Sequence, residues 1–171
     1  PKTPDTVAER AAQRRRDEEQ LENDKDELKA LAASNPTKLE ELIAGNRLKQ
    51  KITHEEYRLA VEKDGADDAA KKSALEAAVD KHVESAKDLQ RVHEAFKGDS
   101  SAVSILKSGV LDAELQELVG LRDKLTEVKG SPQKLQEIED LLTAYAAEYG
   151  FLIPGRDDAK ILKVVDDAAE K

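Results

Sequence analysis

Three histidines, two S-x-x-K spacings, an acidic loop and a run of arginines are the residues here whose type and spacing could do chemistry. His93-Glu94-Ala95-Phe96-Lys97 opens like a zinc-protease helix, but that site needs a second imidazole one turn on, and Lys97 stands there. Ser104-Ile105-Leu106-Lys107 and Ser131-Pro132-Gln133-Lys134 carry the spacing of Ser/Lys acyl enzymes, in which an amine deprotonates a hydroxyl. Neither has an S-D-N or K-T-G companion, and helix-capping serines with solvated lysines explain both. Asp64-Gly65-Ala66-Asp67-Asp68 lacks the alternating acids and distal Glu of a calcium loop and reads as a helix stop followed by an N-cap. With no Cys in the chain, disulfides, thiolate nucleophiles and Cys-ligated zinc are excluded. The expectation is a non-enzymatic protein with no metal, cofactor or small-molecule substrate.

Arg14-Arg15-Arg16 is followed directly by Asp17-Glu18-Glu19, whose carboxylates supply helical i,i+3 and i,i+4 partners. A nucleic-acid face needs unopposed positive charge, and the whole chain carries a net charge of -9, so no nucleic-acid partner is expected. His82 and His93 lie eleven residues, about three helical turns, apart on one seam. Buried together they would sense pH; a position at the seam edge, with the polar tips in water, is the plainer reading. Three of the five aromatics, Tyr145, Tyr149 and Phe151, gather beside Leu152 and Ile153. They are either anchors for a partner or a plug closing one end of a bundle.

The elements that must position these residues are helices. Ala, Glu, Lys, Leu and Arg make up 54% of the chain, aromatics only 3%, and alternating β patterns are absent. Thr3 and Pro4 offer a cap and a first-turn proline for a long helix running to Ser34-Asn35-Pro36. Its large apolar residues are few: Val7, Leu21, Leu28 and Leu31. A helix so thinly striped reads as an arm or as one strand of a coiled coil with a partner. A shorter helical pair follows, its first member carrying Leu39, Leu42, Ile43 and Leu48, its second opened by a capping box at Thr53-His54-Glu55-Glu56. From Asp67 or Asp68 to Phe96, Leu75, Val79, His82, Ala86, Leu89, His93 and Phe96 hold strict 4-3 spacing. A short helix capped at Asp99 or Ser100 is expected to close at Gly109, with Asp112 capping the next. Gly130-Ser131-Pro132 then links that helix to its neighbour as an antiparallel αα-hairpin. After Gly150 comes an extended stretch, then a last helix capped by Asp157 and bearing Ile161, Leu162, Val165 and Ala168.

The sequence therefore predicts an all-α multi-helix bundle over 35–171, with 1–34 as a charged N-terminal arm. Function is expected to be protein–protein interaction or assembly through helix seams, by self-association or by docking a partner, as in scaffold or virion-interior proteins. The alternative is a segment of a secreted or injected bacterial effector or toxin. No apolar stretch approaches the roughly 18 residues that span a bilayer, and no signal peptide is visible. A cytoplasmic location is the default expectation, with virion or secreted origins the alternatives.

Overall fold

The computed structural model describes residues 6–155, and among them every regular element is a helix. Contacts divide the chain into two compact units, Pro1–Ala78 and Val79–Lys171. The candidate cap Thr3-Pro4 and the candidate last helix from Asp157 lie outside the described residues.

The first unit is built on a two-helix hairpin. Helix α1 (Val7–Ala33) starts where the Thr6 hydroxyl accepts the Glu9 N–H at 3.0 Å. It ends at Asn35, which takes the left-handed conformation (φ 50°) that an L residue other than Asn or Asp adopts only at cost, just before Pro36. Helix α2 (Leu39–Val61) packs back along α1. Leu21 of α1 is buried against Ile52 and Leu59 of α2, with Leu28 and Leu48 partly buried on the same cluster. The sequence expectation of a free arm over 1–34 is thus corrected. Five apolar side chains and a ladder of polar contacts hold α1 to α2, and the chain divides after Ala78 instead of after residue 34.

Helix α2 is also continuous where two shorter helices were expected. Thr53 does not cap anything: its hydroxyl donates to the Lys49 carbonyl at 2.9 Å, one turn back in the same helix. A mid-helix threonine can satisfy its hydroxyl this way, so the S/T-x-x-E pattern fits a helix interior as well as a helix start. Gly45 makes room for the neighbouring helix: a Cβ there would stand 3.2 Å from Leu31 Cδ2.

Helix α3 (Asp68–Phe96) begins as its spacing requires, with Asp67 Oδ1 accepting the Ala70 N–H at 2.8 Å. In the second unit, α4 (Ser100–Ile105) is capped by Asp99, whose carboxylate accepts from the Ser101 and Ala102 N–H groups. The chain does not stop at Gly109. It passes through π-helical turns over Leu106–Leu111 directly into α5 (Asp112–Glu127). The reason is packing: Leu106, Val110 and Leu111 are buried, whereas Lys107, Ser108 and Gly109 are exposed. The widened turn absorbs a residue and keeps both apolar stripes on the inner side.

The link from α5 to α6 (Pro132–Tyr149) is the antiparallel hairpin that the sequence predicts. Its details differ. Lys129, not Gly130, takes the left-handed position (φ 53°). Gly130 N–H bonds to Leu125 O at 2.9 Å and Lys129 N–H to Thr126 O at 3.2 Å, the two bonds of a Schellman cap. Ser131 then caps α6 above Pro132. The interior of this unit holds Leu89 of α3, Leu115, Leu118 and Leu125 of α5, and Ile138, Leu142 and Tyr145 of α6.

Candidate functional site

Neither S-x-x-K pair forms a nucleophile. Ser104 and Lys107 are both exposed, and Ser131 accepts the Lys134 N–H while the Lys134 ammonium pairs with Asp80. Among the arginines, Arg14 pairs with Glu18 at 3.0 Å and also donates to the Leu59 carbonyl on α2 at 2.8 Å.

The aromatic cluster is interior. Tyr145 and Tyr149 are sealed, Tyr145 donating its hydroxyl to the Ala86 carbonyl at 3.1 Å. Their rings meet edge to face at 5.1 Å, with His93 at 4.7 Å and Phe151 at 6.1 Å from the Tyr149 ring. Burial, with the Glu114 carboxylate next in effect, drives the Tyr145 hydroxyl well above its usual range, so it stays a neutral donor. The plug arrangement accounts for the burial of these two tyrosines; Phe151 is half-buried and Leu152 remains 51% exposed. His82 is sealed, contrary to the tip-in-water arrangement, and His93 is half-buried against Tyr149. On α1, Leu21 is buried, Leu28 and Leu31 half-buried, and Val7 exposed.

The feature that sequence reasoning missed lies in the α1–α2 seam. Leu21, Asp24, Leu28 and Leu31 fall at 3-4-3 spacing on α1, and Leu48, Ile52, Glu55 and Leu59 at 4-3-4 spacing on α2. Each apolar stripe thus carries one acid, and the two acids face each other. That signal was present in the sequence as a carboxylate at a core position of each helix. Asp24 is 3% exposed. Gln20 Nε2 donates to its Oδ1 at 3.0 Å, and Lys51 Nζ stands 3.4 Å from Oδ1 and 3.2 Å from Oδ2. The same ammonium is 3.9 Å from Glu55 Oε1. A hydrogen bond with Glu55, ahead of those from Lys51 and Gln20, holds the Asp24 carboxyl below its usual range although burial opposes this. Burial first, then the hydrogen bond and charge of Asp24, push Glu55 up to about 7.

About two turns toward the start of α1, Arg58 Nη1 is 3.0 Å from Asp17 Oδ2. Burial raises Asp17, but Arg58, Gln13 and Arg16 together hold it below the ordinary value. Glu55 also borders an open depression along α2 with Arg47, His54, Tyr57 and Arg58. One helix supplies all of that lining, so the depression has one wall.

No family model, curated protein or solved structure matches the chain.

Proposed function

We propose that this chain is a non-enzymatic protein-interaction module in which α1 is an exchangeable helix. It pairs with α2 in its own chain, and it pairs with the equivalent seam of a second copy when copies meet. One observation carries the reading: over its 27 residues α1 buries a single apolar side chain, Leu21. Helix α6 buries Ile138, Leu141, Leu142, Tyr145, Ala146 and Tyr149 over 18 residues.

Fully burying a leucine is worth about 1.5–3 kcal/mol, whereas ordering each backbone residue costs about 1–2 kcal/mol. The cross-seam pairs Arg58–Asp17, Lys51–Asp24 and Arg10–Asp64 set register, but partly exposed pairs add only about 0–1 kcal/mol each. A helix so lightly anchored leaves and re-enters its groove readily, and the exposed Ile52–Leu59 seam then accepts any helix of matching pattern. The net charge of -9 disfavours phosphate backbones as the alternative partner. No described helix is long and apolar enough to cross a membrane.

A labelled peptide of residues 6–34, titrated into the full chain, tests the reading. Saturable uptake that unlabelled peptide competes away is expected. No uptake at millimolar peptide, with α1 amides as slow to exchange as those of α6, contradicts it.

A further inference from the structure

Asp24 on α1 and Glu55 on α2 turn toward one ammonium in the seam: Lys51 Nζ is 3.2 Å from Asp24 Oδ2 and 3.9 Å from Glu55 Oε1. Asp24 Oδ2 and Glu55 Oε2 are both buried, and neither accepts a well-directed hydrogen bond. The Lys51 ammonium meets Asp24 Oδ2 as an ion pair and donates its hydrogen bond to Asp24 Oδ1. Ionised carboxylates only accept hydrogen bonds, so contact between them requires a proton on one partner. With that proton in place, Glu55 donates to Asp24 and the contact becomes a charge-assisted hydrogen bond joining the two helices.

We propose that Asp24 and Glu55 share one proton across the seam, and that this proton latches α1 onto α2. Loss of the proton sets the half-buried Glu55 carboxylate against the buried Asp24 carboxylate, with the Lys51 ammonium to offset them. The charged and polar groups facing the pair are Gln20 and Asp17 on α1, and Lys51 and Arg58 on α2. Arg58 is committed to Asp17 and Glu62, so among the described residues Lys51 is the ammonium at contact distance from both carboxylates. The latch rests on the reading of α1 as the exchangeable helix and says when it exchanges.

The sign follows from the docked and free states. Glu55 holds its proton to about pH 7 when α1 is docked and to about 4.5 when α1 is free. Docking is therefore strongest near pH 4.5, weakens as pH rises toward 7 and is level above it. Asp24, held below its ordinary value, acts oppositely and only below about pH 3.8, where its contribution is lost. By linkage, the shift of Glu55 from 4.5 to about 7 makes α1 release about 30-fold more favourable at pH 8 than at pH 5.5.

The test uses the full chain with carbon-13 in its glutamate carboxyls. The Glu55 resonance should titrate near pH 7, and the opening constant of α1 amides, corrected for intrinsic exchange, should rise about 30-fold from pH 5.5 to 8. Glu55→Gln, whose amide donates to Asp24 at every pH, should hold α1 at its acid-side protection throughout. Asp24→Asn should return the Glu55 midpoint toward 4.5. A wild-type midpoint near 4.5, or an α1 opening constant changing less than threefold, overturns the latch. Those results leave peptide uptake untouched, so failure of the latch and failure of helix exchange are told apart.

Discussion

Leu21→Ala is the sharpest perturbation of the α1–α2 seam, because it deletes the one buried apolar side chain of α1. The change removes three carbons from a side chain that is 8% exposed against Ile52 and Leu59. At about 0.8 kcal/mol per buried methylene the transfer loss is about 2 kcal/mol. Leucine-to-alanine changes in closed cores reach about 5 kcal/mol through the cavity left behind. Here the seam is two helices thick and flanked by the half-buried Leu28 and Leu48, which can close over the gap, so the cavity contribution is small. The expected cost is about 2–3 kcal/mol, a rise of roughly 30- to 150-fold in the opening constant of α1. Native-state hydrogen exchange reads it residue by residue: amides between residues 15 and 30 should lose that protection while α6 amides keep theirs. Equal losses in α1 and α6 would mean that α1 does not open by itself, and a change below fivefold would mean that Leu21 is not its anchor.

Lys129 sits at φ 53°, where an L side chain is strained, so Lys129→Gly should stabilise the second unit by about 1 kcal/mol; urea unfolding checks it. Tyr149→Ala empties the aromatic plug and should destabilise by about 3–4 kcal/mol, seen as a lowered melting temperature. Phe151→Ala, at a half-buried position, should cost clearly less than Tyr149→Ala in the same melt; an equal or larger cost would make Phe151 the keystone of the plug.

Much of the fold was legible because helix periodicity and punctuation agreed. The 4-3 spacing from Leu75 to Phe96 and the Gly130-Ser131-Pro132 link each have one physical solution, and the structure adopts it. The failures came where one local signal serves two geometries. The Thr53 hydroxyl satisfies a backbone group as a cap or by bonding back to Lys49, and Gly109 followed by Asp112 looks like stop and start although buried Leu106 and Leu111 carry the helix through. The arm expectation failed because sparse leucines were weighed without their polar neighbours. Arg14, Asp17 and Asp24 reach α2 as directly as Leu21 does. The carboxyl pair was harder still, since its members lie 31 residues apart and only the hairpin register brings them face to face.

Light scattering of the unmodified chain over a thousandfold concentration range tests the account most directly. Exchange of α1 between copies predicts an average mass that climbs above 18.8 kDa as concentration rises, and does so more readily at pH 8 than at pH 5.5. A mass fixed at 18.8 kDa across the range, at both pH values, would contradict it.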